Sequence, residues 1–226
     1  MDKEVDKRLI ALFSTIGVAI LGFLVLAILV LCDYKFKIDG FNNVVANNRN
    51  GFWTGFFKIF THLGVFYVVA GLVLVGAILL WFVAKNKRMS LFMLACFAFT
   101  CIANFILKRV IRRIRPEHLM LIEESGFSFP SGHSMMSFVL FAMLIYFVYK
   151  TIKNKVFKIS LISLCAVLTI MVGFSRIYLG VHYLTDILAG WLITLAVVLT
   201  FIWAYNSNLF RKKEDGKIKN EVESGK

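Results

Sequence analysis

The amino-acid sequence predicts an all-α membrane protein with six transmembrane helices and an interfacial helix between the first two. Its 226 residues are 59% hydrophobic, and their mean hydropathy is +0.78, as is typical of a chain that crosses a membrane several times. Only two residues are proline, so long helices can run uninterrupted. The apolar residues fall into six runs, and about 20 apolar residues suffice to cross the ~30 Å hydrocarbon layer.

The six predicted spans alternate with polar segments. They are residues 9–32, 63–84, 90–107, 134–149, 159–174 and 184–205. The fourth and fifth are short for a membrane helix, and we expect them to include flanking residues. The mixed-charge start MDKEVDKR and the long apolar run after it predict a retained first span rather than a cleaved signal peptide.

Two segments outside the spans have distinctive compositions. Residues 33–62 are rich in asparagine and aromatic residues. Their aromatic stripe beside Lys58 predicts an interfacial helix, which would either anchor the chain or guide a lipid tail. The stripe consists of Phe52, Trp53, Phe56, Phe57 and Phe60. Residues 211–226 are highly charged and predict a disordered cytoplasmic tail after a membrane domain of residues 1–210.

The net charge of +13 is distributed as in a membrane protein rather than a nucleic-acid-binding one. If both termini are cytoplasmic, most lysines and arginines outside three short motifs lie in cytoplasmic segments, which is the positive-inside bias. We therefore predict a multi-pass plasma-membrane protein with cytoplasmic termini and no nucleic-acid partner.

The three motifs are residues 108–116 (KRVIRRIRP), 130–133 (PSGH) and 175–186 (SRIYLGVHYLTD). Cations and histidines are costly among membrane spans, so they indicate a functional site. In the predicted topology the first two motifs flank the loop between spans three and four, and the third lies between spans five and six. All three would therefore meet on the extracytoplasmic side.

The first motif concentrates positive charge. Lys108 and Arg115 are seven residues apart, or two helical turns, so a helix would project both from one face, together with Arg112. Such a face suits phosphate, because the arginine fork can bind two oxygens. Arg109 and Arg113 are interpreted instead as cations that extend towards lipid headgroups.

The second motif predicts the start of a helix. Proline and serine are favoured there, and a glycine allows a ligand to approach the backbone. The exposed amides could bind an anion, with a further donor from Ser131, while Gly132 and His133 lie in the first turn. An ordinary helix cap is the alternative.

The third motif combines a cation with a histidine–carboxylate pair. Arg176 supplies the charge, and His182 and Asp186 are four residues apart, which predicts that they share one helical face. The carboxylate could accept the Nδ1 hydrogen and leave Nε2 free to attack. A structural pair and a metal site are the alternatives. The nearby Lys108, Arg115 and Arg176 would repel a divalent ion, so no metal is expected.

Read together, Lys-x6-Arg-Pro, Pro-Ser-Gly-His and Ser-Arg-x5-His-x3-Asp resemble the signature of the type 2 phosphatidic acid phosphatase superfamily. FSFPSGHSMMS and the six-span layout are most similar to its bacterial phosphatidylglycerophosphatase B-type branch. The resemblance implies a phosphatase without metal or cofactor. It further implies that His182 is the nucleophile and becomes a phosphohistidine, that Asp186 orients it, and that His133 protonates the leaving oxygen. The implied phosphate-binding residues are Lys108, Arg115, Ser131, Gly132 and Arg176.

The expected substrate is a lipid phosphate monoester or pyrophosphate, of the phosphatidylglycerophosphate or phosphatidic acid type. Undecaprenyl pyrophosphate hydrolysis and lipid phosphotransfer are the alternatives within the same chemistry. An anion transporter or a headgroup receptor is disfavoured, because the polar motifs lie at span ends and no internal repeat is evident. The sequence assigns no role to Arg112, Glu123, Glu124, His62 or His118, and no oligomeric state.

Overall fold

The computed structural model describes residues 2–207, with side chains from Lys7 onwards. The predicted tail at residues 211–226 lies outside these described residues. Within them there are eight α-helices and no strand. The helices are α1 (Asp2–Leu31), α2 (Phe41–Asn47), α3 (Gly51–Phe60), α4 (Phe66–Ile78), α5 (Lys87–Ile111), α6 (Gly132–Thr151), α7 (Lys155–Tyr178) and α8 (Leu184–Asn206).

Six of these helices are long and apolar enough to cross a membrane, so all six predicted spans are confirmed and the chain is a multi-pass membrane protein. Their apolar lengths are Lys7–Leu31, Phe66–Val83, Lys87–Ile111, Gly132–Thr151, Lys155–Tyr178 and Leu184–Asn206. A π-helical turn, Leu79–Val83, prolongs α4. The fourth and fifth spans gain flanking residues at both ends, as expected.

Helix α6 lies at the centre of the bundle and packs against α4, α5, α7 and α8, while α1 packs along α8. The core around α6 contains Val69, Cys96, Met135 and Val139, none of which is measurably exposed. Helices α1, α4, α5 and α7 carry exposed large apolar side chains on their outer faces. These faces are suited to contact with lipid chains.

The segment between α1 and α4 contains two short helices, α2 and α3, where the sequence predicted one. A 3₁₀ turn, Lys37–Gly40, precedes them, and another, Thr61–Gly64, follows. Helix α3 is two-sided: Phe52 is exposed, whereas Phe57 is buried, with its ring centroid 4.6 Å from that of Tyr178 on α7. Helix α3 is therefore packed onto the bundle through α7.

Three helix ends meet at one end of the bundle. Helix α5 stops at Ile111 because Arg112 adopts a left-handed conformation, with φ of 53°. Helix α6 begins at Gly132 after Ser131, and α8 begins after Tyr183. All three sequence motifs lie at these ends, and this is where the candidate site is found.

Candidate active site

His182 and Asp186 are in contact, but not by the route that the sequence predicted. His182 precedes α8 instead of lying on it, so the two residues do not share a helical face. Its Nδ1 lies 3.3 Å from Asp186 Oδ2, the oxygen that also accepts a hydrogen bond from the Tyr183 amide at 2.9 Å. The first turn of α8 thus holds the carboxylate against the imidazole, and both side chains are buried.

Arg115 also reaches the site by an unexpected route. Because α5 ends at Ile111, Arg115 cannot share a helical face with Lys108, and that prediction is wrong. Arg115 extends from the chain after the helix, and its Nη1 lies 3.2 Å from His182 Nε2 and 2.8 Å from the Val181 carbonyl oxygen. Arg112, predicted on the same face, is exposed, and its Nε donates to a carbonyl within α5.

The contact with Arg115 determines the tautomer of His182. A guanidinium only donates hydrogen bonds, so Nε2 must accept. The ring proton therefore resides on Nδ1 and is donated to Asp186. An imidazole in this state presents the Nε2 lone pair, which is what a nucleophile requires.

Arg176 is completely buried at the end of α7. Its Nη1 donates to Thr61 Oγ1 at 2.8 Å, and its Nη2 donates to the Glu124 carboxylate. Glu124 also lies 3.8 Å from Arg115. The Nε atom of Arg176 has no hydrogen-bond partner among the described residues. One donor of this buried cation is therefore unsatisfied by the described part of the protein.

Lys108 lies near Arg115 and Arg176, and these three residues form a cationic cluster around His182. The start of α6 completes the site. Lys108 donates to the Phe127 carbonyl in the loop before α6. Ser131 is fully buried, and its hydroxyl accepts from Ser134 at 3.0 Å, which leaves the Ser131 proton for another acceptor. His133 is in electrostatic contact with His182 and with the three cations of the cluster.

Gly132 lies where α6 approaches α5 closely. A Cβ atom at this position would be 3.1 Å from the Asn104 side-chain oxygen. The glycine therefore permits tight packing of the helix start, in addition to any approach of a ligand.

Arg113 is a member of the site that sequence reasoning assigned to lipid headgroups. It donates to Asp186 at 2.6 Å, to Thr185 Oγ1 at 2.7 Å and to Asp39 at 2.7 Å. Burial alone would lower the pKa of Arg113, but the negative charges of Asp186 and Asp39 have the larger combined effect and raise it. Arg109, by contrast, is exposed and donates to the Phe105 carbonyl of its own helix, and its contact with lipid headgroups stays a prediction.

Four other residues contact the site in ways that the sequence did not predict. They are Glu124, Thr61, Asp39 and Asn42. Glu124 could have been suspected as a carboxylate just before the PSGH motif, but the other three lie in the segment before α4, far along the chain. His62 and His118 are exposed and make no contact with the cluster among the hydrogen bonds of the described residues. Glu123 is likewise exposed.

The surroundings of His182 keep its imidazole neutral. Burial, followed by the charges of Lys108, Arg115 and Arg176, lowers the pKa of His182 well below the ordinary histidine value. Within the described residues, no group of three or more His, Cys, Asp or Glu side chains could hold a metal ion. The three carboxylates at the site, Asp39, Asp186 and Glu124, are instead paired with arginines.

A neutral imidazole enclosed by buried cations, at the end of a six-helix membrane bundle, is typical of a membrane-embedded phosphatase. Residues 89–210 match the PAP2 superfamily. The chain belongs to this superfamily and is a membrane phosphatase of the lipid phosphatase type.

Two curated relatives align with more than half of the chain. Phosphatidylglycerophosphatase B of Bacillus subtilis (strain 168) is 37% identical over 149 residues, which cover 63% of this chain and 69% of the relative. Undecaprenyl-diphosphatase of Sulfolobus acidocaldarius is 24% identical over 164 residues, or 70% of each chain.

Two crystal structures share the fold. The transmembrane PAP2-type phosphatidylglycerolphosphate phosphatase of Bacillus subtilis superimposes with a TM-score of 0.76 at 27% identity, over 86% of this chain and 98% of that one. LpxE of Aquifex aeolicus has a TM-score of 0.57 at 24% identity, over 72% and 92% of the two chains, and shows the fold alone.

Proposed function

We propose that this phosphatase hydrolyses a phosphate monoester or pyrophosphate on a lipid, at the extracytoplasmic face, through a phosphohistidine formed on His182. The observation that carries the proposal is the orientation of His182. Its Nδ1 is held by Asp186, and its Nε2 lies 3.2 Å from the buried guanidinium of Arg115. Phosphoryl transfer depends mainly on this kind of positioning and charge neutralisation.

In the first step, His182 Nε2 attacks phosphorus and the bond from phosphorus to the leaving oxygen breaks. His133 donates the proton that the leaving oxygen requires. The non-bridging oxygens are bound by Lys108, Arg115, Arg176, Ser131 and the backbone at Gly132. Asp186 stabilises the positive charge that develops on the imidazole.

In the second step, water attacks the phosphohistidine. His133 accepts the proton of the water, the P–N bond breaks, and phosphate leaves with the neutral His182 restored. The cations serve both steps, because the same oxygens carry negative charge in each transition state.

Glu124 is paired with Arg176 and lies 3.8 Å from Arg115. A substrate phosphate competes with this carboxylate for Arg176, whose Nε has no hydrogen-bond partner among the described residues. The cluster would also disfavour a divalent ion, because three fixed cations repel it. The proposed reaction therefore uses no metal.

The lipid nature of the substrate is supported by an apolar groove of about 470 Å³ between α2, α3 and α7. Val45, Trp53, Phe57 and Phe174 line it, and Phe57 lies one helical turn before Thr61, which contacts Arg176. An acyl chain in this groove would bring the headgroup phosphate towards the cluster. The aromatic segment then guides the lipid tail as well as anchoring the chain.

Phosphatidylglycerophosphate is the favoured substrate, because the Bacillus subtilis relative with 37% identity is a phosphatidylglycerophosphatase. Phosphatidic acid, which carries the same kind of phosphate monoester on a lipid, is proposed beside it. Undecaprenyl pyrophosphate is the second candidate, supported by the more distant undecaprenyl-diphosphatase. Membership of a phosphatase family argues against the anion transporter and headgroup receptor readings.

Phosphate release from these three lipids by the purified protein tests the substrate assignment. His182→Ala should abolish both turnover and the acid-labile phosphoenzyme, while the matched variant His62→Ala, at an exposed histidine, should retain both. EDTA should leave the wild type active. Activity that EDTA removes and zinc restores would overturn the metal-free mechanism, and phosphate captured by an added alcohol would identify a phosphotransferase.

A further inference from the structure

The 3₁₀ turn Lys37–Gly40 and helix α2 contact the nucleophile motif from a distant part of the chain. The turn packs on the start of α8, and α2 packs on α7. Among their side chains, only those of Asp39 and Asn42 form hydrogen bonds with residues 182–186. Neither belongs to the motifs that resemble the family signature.

Asp39 fastens the start of α8. Its carboxylate accepts from the Thr185 amide at 3.0 Å and from the Thr185 hydroxyl at 2.9 and 3.0 Å. The same carboxylate accepts from Arg113 at 2.7 Å, and the other nitrogen of that guanidinium donates to Asp186 at 2.6 Å. A continuous chain of charged hydrogen bonds thus runs from Asp39 through Arg113 and Asp186 to His182.

Asn42 holds the backbone of the nucleophile itself. Its Nδ2 donates to the His182 carbonyl oxygen at 2.7 Å, and its side chain is buried. Its Oδ1 has no hydrogen-bond partner in the described part of the chain. A buried amide with one unpaired oxygen is a poor means of stabilising a fold. Among the described residues, the bond to the His182 carbonyl is the only hydrogen bond that the Asn42 side chain forms.

We propose that Asp39 and Asn42 are positioning residues for phosphoryl transfer, which fix the His182 backbone and the Arg113–Asp186 pair from outside the signature motifs. The inference rests on the proposed role of His182 as the nucleophile. Neither residue bonds to Lys108, Arg115 or Arg176, so both act on the geometry of attack and not on the binding of phosphate. Misplacing a reacting group by about 1 Å can cost a factor of about 100 in rate.

The test compares Asp39→Asn and Asn42→Leu with the wild type in full-length protein, using phosphatidic acid in mixed micelles. We expect the rate of phosphoenzyme formation and kcat to fall by roughly tenfold or more. The inhibition constant of inorganic phosphate should stay within about twofold, because the cationic cluster is unchanged. Asn42→Leu leaves the buried His182 carbonyl without its donor, so its Tm should fall, and kcat is measured well below the Tm of each variant. If Asn42→Leu does not fold, Asn42→Ala removes the same donor without adding bulk or charge and takes its place.

Matched controls come from the same segment. Asp33→Asn and Asn43→Leu change exposed residues of the same types and should behave as the wild type. A wild-type rate of phosphoenzyme formation in both test variants would overturn the inference, as would an equal loss of phosphate binding. If the wild type hydrolyses lipid without forming a phosphoenzyme, the proposed function fails first and this inference fails with it.

Discussion

At the scale of single residues, the cations around His182 have two effects that support each other. Lys108, Arg115 and Arg176 provide positive charge for phosphate, and together with burial they lower the pKa of His182. The residues that would bind the substrate thus also keep the imidazole unprotonated before the substrate arrives. When a phosphate offsets their charge, positive charge on His182 becomes tolerable, as the proposed intermediate requires.

This coupling predicts the pH dependence of kcat/KM, which reports the free enzyme. His182 must be neutral to attack, and its lowered pKa keeps it neutral down to a pH below the ordinary histidine value of about 6.5. We expect a bell-shaped profile whose acidic limb lies below that value. Phosphate release measured across the pH range checks this, and His62→Ala should give the same profile. A missing acidic limb, or one above the ordinary value, would contradict the assignment.

The sequence identified the chemistry of these residues better than their geometry. The composition of the three motifs was enough to predict a cationic cluster around His182. The helical spacing rule failed twice, at Arg115 and at His182, because each lies just outside a helix. A left-handed residue at Arg112 and the cap at Tyr183 depend on tertiary packing, which periodicity does not encode.

At the scale of helices and turns, the ends of the helices build the site. The Thr61–Gly64 turn lies between α6 and α7, where Thr61 accepts a hydrogen bond from Arg176. The sequence predicted membrane anchoring or tail guidance for the whole segment 33–62. Its contacts with Arg176, Thr185 and His182 could not be predicted, because Asn42 and His182 are 140 residues apart and no pattern links them.

Gly64 tests the importance of this close packing. A Cβ atom there would lie 2.7 Å from Val172 Cγ1 and 3.0 Å from the His133 carbonyl oxygen. Gly64→Ala should therefore push the turn from α6, move Thr61 relative to Arg176, and lower the stability by about 1–3 kcal/mol. Thermal unfolding and phosphate release measure both effects. Gly71→Ala on α4, with no atom within 4 Å of the added Cβ, is the matched control and should retain wild-type values.

At the scale of the whole molecule, six spans place the three motifs at one end of the bundle. The six-span topology was predictable because runs of apolar residues mark membrane helices directly. A six-span topology requires the loops after α1, α5 and α7 to lie on the same side of the membrane. The contacts among Asp39, Arg113 and Asp186, which join these loops, agree with this arrangement. The side of the membrane on which they lie depends on the positive-inside bias.

The chain contains a natural probe of its orientation. Cys32 is exposed directly after α1, at the end of the bundle that carries the site, whereas Cys96 and Cys165 are buried and Cys101 is half-buried within spans. The lysine-rich loop between α6 and α7 is predicted to be cytoplasmic, and Cys32 lies at the opposite end of the bundle. A membrane-impermeant maleimide should therefore label Cys32 in right-side-out spheroplasts. Cys32→Ser should abolish that labelling, and Lys153→Cys in the same background should react only after the membrane is permeabilised. Labelling of Lys153→Cys in sealed spheroplasts, with Cys32 protected, would place the site in the cytoplasm and restrict its lipids to the inner leaflet.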